Sequence, residues 1–309
     1  MQFKNLKYRF KLFFAALVIL LVGACFAAYF ATSTIRNNSK IEDKLRHYNT
    51  TMNFEMQKLL EFIEQIPEDF AFSLEYIRFS DEDLKEISRM IVSLNEEIYG
   101  NGIVFEPKVY KNDSINFAPY FYRENGKIKS QDLGDINYYN YWNQDWYIIP
   151  KKLGRPEWIE PYYDTVAMTT YSVPFWRHTE DSIYFGGIIT VDLSLDWLNN
   201  YVNNKRPTPN SFHFIVSKFG TLITFPNKQY MFNENLMSLS ERLQQPVFKQ
   251  IAYDIQKDII NTYIIKSDTL LKARDTKKYR ILYSKLKIND WWLFTCINEE
   301  ELLNGIFEK

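Results

Sequence analysis

Cysteine is almost missing: Cys25 and Cys296 are the only two in 309 residues. No disulfide framework can hold the chain, so its folded parts must stand on hydrophobic cores. Cys25 falls in a long apolar run and Cys296 in an apolar strand-like one, where a small buried hydrophobe is the expected role. Histidine is also scarce. His47, His178 and His213 are scattered and have no paired cysteines beside them, which excludes the usual metal-ligand spacings. No glycine-rich phosphate loop and no nucleophile elbow occurs. Ten glycines and 11 prolines leave no low-complexity tract. The formal charge of -1 gives no general attraction to nucleic acid. The feature nearest to an enzyme is the pair Asp164 and Asp192, a conceivable carboxylate couple for glycoside hydrolysis. Nothing else in the chain asks for that chemistry, so no catalytic residue, cofactor or metal is expected.

What charge there is lies unevenly. Residues 1–11 carry Lys4, Lys7, Arg9 and Lys11 and no acid, leaving 33 bases against 38 acids beyond them. Residues 12–31 contain no charge at all, and twenty residues of helix span about 30 Å, the thickness of a bilayer core. The basic flank places the start of this transmembrane helix in the cytoplasm. The expected location is a single-pass inner-membrane protein with residues 32–309 periplasmic or extracellular. Two alternatives stay open. A cleaved signal peptide shares the basic start and apolar middle, and the small residues before Cys25 suit a lipoprotein signal.

Beyond the membrane, Ile41, Leu45, Tyr48, Met52, Met56, Leu59 and Ile63 recur at helical steps, predicting a long stalk helix that Pro67 ends. Ser80 before Asp81, Glu82 and Asp83 predicts the start of a second helix, stopped at Gly100. Strands are predicted from Ile103 to Phe105, Ala118 to Arg123 and Lys127 to Lys129, with Asn125-Gly126 as a hairpin turn. Residues 132–160 read as a long loop with short helical pieces, and loops of that length are usually functional. Two central strands follow, Met168 to Trp176 and Ile183 to Val191, then a short helix from Asp192 to Tyr201.

Residues 203–210 are polar and hold two prolines, so a domain boundary is placed there. The second block repeats the logic: strands Phe212 to Ser217 and Thr221 to Phe225, a helix from Leu239 to about Lys257, and strands near Asn261 to Lys266, Lys278 to Leu286 and Trp291 to Asn298. Helix-flanked antiparallel sheets make the chain α+β. The divisions are a basic tail (1–11), a transmembrane helix (12–31), a stalk helix and connection (32–75), a membrane-distal module (76–205), a membrane-proximal module (206–298) and the start of an exit helix (299–309).

Residues 138–192 gather tyrosines and tryptophans with unusual density around Asp164 and Asp192, the makings of a pocket for a small cation rather than of an aliphatic core. Within them Trp146-Tyr147, residues 160–164 (EPYYD), 170–174 (TYSVP) and 186–195 (GGIITVDLSL) stand in a joint order that resembles the double Cache (dCache) family. These are bacterial extracytoplasmic sensor domains with a long helix and two PAS-like sheets, and the likeness covers roughly residues 33–300. The resemblance implies a signal-transduction receptor that binds a small molecule in the distal module, a homodimer through the stalk helix, and a cytoplasmic output in the same or a partner chain. The alternative is a membrane-tethered binding or scaffold protein without output of its own.

A subset of the family binds amino acids through a recurrent pattern. The resemblance places it on Tyr139, Trp146, Tyr147, Asp164 and Asp192, with Gln144 where the subset has arginine. The two aspartates would take an ammonium, and each ring would add about 0.5 to 2 kcal/mol of cation-π attraction when desolvated. Glutamine cannot neutralise a ligand carboxylate as arginine does. A small amine therefore fits better than a plain α-amino acid, unless Lys151, Lys152 or Arg155 swings in. Ordinary roles compete throughout. Asp192 could cap the helix after it and Asp164 could hold a turn. Trp146, Trp158 and Tyr171 suit a sheet face as well as a ligand, and Trp142 and Trp176 are assigned to packing.

Overall fold

The computed structural model describes residues 2–110, 116–135, 139–267 and 277–304. Its first element, α1 (Gln2–Tyr76), is a single helix of 75 residues. Its apolar part is unburied, long enough to cross a membrane, and has a mean hydropathy of 2.5. Further on, Ile41, Leu45, Met52, Met56, Leu60 and Ile63 are buried in one stripe, with Tyr48 and Leu59 partly buried and packed against the same cores. Pro67 does not end the helix. The proline costs one backbone hydrogen bond, but Ala71 and Leu74 beyond it are buried in the core. Two carboxylates of the same stretch also bind the sheet: Glu68 accepts from the Tyr171 hydroxyl (2.6 Å) and Glu75 from the Trp176 backbone N–H (3.2 Å). Tertiary packing thus outweighs the local penalty.

Helix α2 (Asp81–Leu94) opens on a capping box in which Ser80 Oγ accepts from Asp83 N–H and Asp83 returns the bond. It ends at Leu94, well before the predicted stop, and Gly100 instead begins a strand. That strand, β1 (Gly100–Phe105), joins β2 (Pro119–Glu124), β3 (Lys127–Asp132), β4 (Glu157–Trp158), β5 (Tyr162–Tyr163), β6 (Ala167–His178) and β7 (Ile183–Ser194). The sheet order is β3-β2-β1-β7-β6-β4, with β5 also on β6, and every pairing is antiparallel. Asn125 (φ 51°) and Gly126 (φ 72°) make the tight β2–β3 turn, and a side chain at 126 would be strained at that φ.

Alternation along β7 sorts the two faces. Ile189, Val191 and Leu193 enter the large core under α1 and α2, while Ile188 faces a second cluster with Tyr141, Trp146 and Tyr147. That second cluster is closed by α3 (Asp145–Leu153).

After α4 (Leu195–Asn203) the chain builds a four-stranded sheet, β8-β11-β10-β9, from β8 (Phe212–Val216), β9 (Thr262–Ser267), β10 (Lys277–Lys285) and β11 (Trp292–Asn298). The expected strand Thr221 to Phe225 is not formed. Leu222, Ile223 and Phe225 are buried all the same, tied to β8 by isolated bonds. The expected single helix is two, α5 (Leu236–Arg242) and α6 (Pro246–Gln256), because Pro246 can start a helix but not continue one. The last element is α7 (Glu299–Leu303), and residues 305–309 of the predicted exit helix lie outside the described residues. The architecture is α+β: one long helix carrying two antiparallel sheets.

Candidate functional site

Asp192 sits near the end of β7, level with Gly100 on β1 and Thr170 on β6. It is not a helix cap: Ser194 caps α4, its hydroxyl accepting from Trp197 N–H. Period-two alternation puts Asp192 and Thr190 on the face opposite the main core. The Thr170 hydroxyl donates to Asp192 Oδ1 (2.7 Å) and the Tyr120 hydroxyl donates to Oδ2 (2.7 Å). The carboxyl is 4% exposed. Burial raises its pKa to about 6, opposed by those two hydrogen bonds and reinforced by the negative charge of Asp164.

Gly100 makes this close approach possible. A Cβ there would collide with the Tyr120 hydroxyl and lie 2.8 Å from Asp192 Oδ2. Gly100→Ala is therefore expected to push Tyr120 off Asp192 and to destabilise the protein by about 1–3 kcal/mol, because the buried carboxylate loses one of its two hydrogen bonds. A thermal melt of the variant checks it; an unchanged melting temperature would show that the Tyr120–Asp192 contact is dispensable.

A small pocket, with a cavity volume of about 30 Å³ and partly open to solvent, lies over this carboxylate. Its walls include Tyr120 and Tyr122 from β2, Tyr139, Trp146, and Tyr162 from β5, with Asp164 and Thr165 at the mouth. Trp146 Nε1 donates to the Tyr139 hydroxyl (3.2 Å), and Tyr162 and Thr170 share a hydroxyl bond of 2.7 Å. Burial pushes the Tyr139 hydroxyl up to about 12 and those of Tyr120 and Tyr162 well above their usual value, so all three stay neutral donors. Burial also raises the Asp164 carboxyl. Among the described residues, no lysine, arginine or histidine lines the pocket.

Four of the six sequence-selected residues, Tyr139, Trp146, Asp164 and Asp192, thus meet in one cavity. Gln144 and Tyr147 do not. Gln144 precedes α3 and faces a neighbouring groove, its Nε2 3.4 Å from the Asn140 carbonyl. Tyr147 is turned to the far side, 1% exposed, with its hydroxyl donating to Glu106 (2.5 Å). On a helix, adjacent residues differ by about 100° in direction, so Trp146 and Tyr147 cannot share a pocket wall. The loop bases do not swing in either: Lys151 pairs with Glu106 (2.6 Å) and Arg155 with Glu157 (2.9 Å). Trp158 and Tyr171 belong to the main core against α1, and Trp142 and Trp176 are partly buried among aromatic neighbours.

Tyr120, Tyr122, Tyr162 and Thr170 were missed. The signal available was modest: Tyr120 and Tyr122, two apart on a predicted strand, must share a face. That they share it with Asp192 depends on the β1 register between them.

Comparison with known proteins narrows the identity. Residues 84–200 match the family model described as methyl-accepting chemotaxis protein-like, first PDC sensor domain. No curated protein matches the sequence. Among solved structures, an extracellular domain assigned to a histidine kinase, mmHK1S-Z3, superposes with a TM-score of 0.70 at 20% identity, covering 86% of this chain and 97% of that one. The ligand-binding domain of the Pseudomonas aeruginosa PAO1 amino acid chemoreceptor PctB, in complex with L-Gln, gives 0.58 at 15% identity, with 85% and 93% covered. That of PctC from the same organism, in complex with GABA, gives 0.56 at 14%, with 82% and 98% covered. The chain therefore has the fold of the extracellular sensor domains it superposes on, one long helix carrying two antiparallel-sheet modules, and its residues 84–200 are similar to the first PDC sensor domain of methyl-accepting chemotaxis protein-like proteins.

Proposed function

We propose that the distal pocket binds a small ammonium compound, an amine or amino-acid-like metabolite, as the sensing step of a bacterial signal-transduction receptor, and that binding is relayed toward the membrane. The observation that carries this is Asp192: a buried carboxylate held by two neutral hydroxyls, under an aromatic-walled cavity whose described lining offers no base. A buried charge without a partner is costly, and an incoming ammonium removes that cost while gaining charge-assisted hydrogen bonds. Tyr139, Trp146 and Tyr162 supply ring faces for the same cation. The structural relatives that bind L-Gln and GABA support a ligand bearing an ammonium group. They do not supply the other half of the argument. With Gln144 turned away and Lys151 and Arg155 engaged elsewhere, nothing charged awaits a ligand carboxylate among the described residues, which favours a carboxylate-free amine.

A thermal-shift screen of the full chain in detergent tests this. A primary amine at 100 times its dissociation constant adds about 2.7 kcal/mol. Stabilisation by organic acids, with none by amines, would overturn the reading. Affinity should also depend on pH. An ammonium needs the ionised carboxylate, whose pKa in the empty protein is about 6. Binding is therefore expected to be constant above about pH 7 and to weaken about tenfold per pH unit below about 6. A flat calorimetric profile from about pH 7.5 to 5 would remove Asp192 from the ammonium contact.

A further inference from the structure

We propose that the segment Glu157–Asp164 is a strap that reports occupation of the pocket to the proximal module, with Glu160 and Tyr163 as its relay residues. This rests on the reading of the pocket as a ligand site. Successive residues of the strap face different partners. Tyr162 and Asp164 line the pocket. Tyr163 between them points the other way, and its ring stacks on Phe232 of the proximal module with centroids 6.3 Å apart. Glu160 accepts a hydrogen bond from Ser217 Oγ (2.7 Å), Glu157 pairs with Lys218, and the Trp158 ring lies 5.1 Å from that of Trp291. One short stretch thus touches the ligand cavity and four points of the proximal module.

The strap is weakly fastened where it must move. Strands β4 and β5 are two residues each, and Pro161 between them has no N–H to give the sheet. Beyond β5, the Asp164 N–H reaches only the Val166 carbonyl (3.2 Å), across its own turn. Trp158 and Ile159 are buried, but residues 160–164 are half-buried or exposed, which means a low cost of local displacement for that end of the strap. Its far end is firmly held. Ser217 Oγ also accepts from the backbone N–H groups of Phe219 and Thr221 (3.2 Å each), so it organises the turn that leads into the buried residues Leu222 and Ile223. Thr221 in turn bridges to Asn235, which caps α5. An ammonium drawn between Asp192 and Asp164 pulls Asp164 inward, and Tyr163 and Glu160 follow on the same backbone. The pull matters only if the ligand prefers the shifted strap, which the extra Asp164 contact provides.

Helix α1 is the rival route, because it packs on strands of both sheets. Hydrogen–deuterium exchange on the full chain in lipid nanodiscs, with ethylamine as a minimal carboxylate-free ammonium, separates the two. In the wild type, ethylamine should slow exchange roughly threefold or more in peptides spanning 162–170 and 186–194, and also in 214–235. Glu160→Ala and Tyr163→Ala, neither in the pocket lining, should keep the first effect and lose the second. Ser217→Ala cuts the same bond from the other side and should match Glu160→Ala. Proximal protection that survives in all three variants assigns the relay to α1 and overturns the strap. Should ethylamine protect nothing in the wild type, the pocket reading fails. Asp192→Asn without ligand then decides the strap alone: it must alter exchange in 214–235, and must not do so together with Glu160→Ala. Any other pattern overturns it.

Discussion

Asp192→Asn is expected to make the empty protein more stable at neutral pH and to cost it ammonium binding by about 100-fold. The substitution keeps the shape of the side chain. An asparagine can still accept from Tyr120 and can donate to Thr170, whose hydroxyl already meets Tyr162. What it removes is the charge. In the folded protein burial raises the carboxyl from its ordinary 3.8 to about 6, so at neutral pH the native state carries an ionised group it would rather hold neutral. The sign is the reverse of that for a salt-bridged acid. The cost is absent below about pH 4, grows as pH rises toward 6, and is complete by about pH 7, where it amounts to about 2 to 3 kcal/mol. The amide removes that cost, so the melting temperature of the empty protein should rise by several degrees at about pH 7.5 and by nothing near about pH 3.5. The same missing charge takes with it a charge-assisted bond to the ligand, about 3 kcal/mol or 100-fold in affinity. Paired melting curves and calorimetry on the variant measure both. A variant that is destabilised at neutral pH, or that binds amines as before, would show that Asp192 serves the fold rather than the ligand.

Asp254→Ala is expected to produce the largest loss of stability, about 3 kcal/mol, in a part of the molecule remote from the pocket. Asp254 lies on α6, is 4% exposed, and accepts four hydrogen bonds: from Gln250 Nε2 (3.0 Å), Asn261 Nδ2 (2.9 Å), Tyr263 Oη (2.6 Å) and Tyr283 Oη (2.9 Å). These join the helix to β9 and β10, the strands at one side of the proximal sheet. Burial works to raise its pKa, but the four donors prevail and hold it at about 2. Truncation leaves the Tyr283 hydroxyl, on a fully buried side chain, without its acceptor, along with three further donors. A fall in melting temperature of roughly 6–10 °C is the expected readout. Here the acid is depressed, so its stabilisation is present above about pH 4 and is lost as pH falls toward 2. The gap between wild type and variant should therefore close in acid. A loss under about 1 kcal/mol at neutral pH would mean that water or relaxation satisfies the stranded donors.

Asp192 and Asp254 show how unlike two buried aspartates can be. Asp254 has four donors and is an anchor, whereas Asp192 has two and is left with unused acceptor capacity facing a cavity. The difference does not reside in either residue's local sequence. It comes from what other strands bring alongside.

Much of the architecture was legible beforehand because it is written in periodicity. The helical spacing of Ile41 to Ile63, the helix start at Ser80 and the Asn125-Gly126 turn are each set by residues a few positions apart, and the structure contains all three. The errors fell where distant contacts outweighed local rules. Pro67 is a local breaker, but α1 runs through it because Ala71, Leu74 and Glu75 are held by the distal sheet. Thr221 to Phe225 has strand composition, yet it packs without entering a ladder. The grouping of the pocket was half visible. The family resemblance brought forward Tyr139, Trp146, Asp164 and Asp192, together with Tyr147 from the Trp-Tyr pair and Gln144 at the arginine position, and these last two fall outside the pocket lining. Tyr120, 72 residues from Asp192, could be found only through β1, which sets Gly100 level with Asp192 on one side and with Tyr122 on the other. Which segments are helix or strand, and which of their faces are apolar, was for the most part already settled in the chain, since both depend on steps of two to four residues. Which side chains meet over the carboxylate, and that no base among the described residues accompanies them, was settled by folding, because strand register and helix direction are long-range properties that no window of sequence contains.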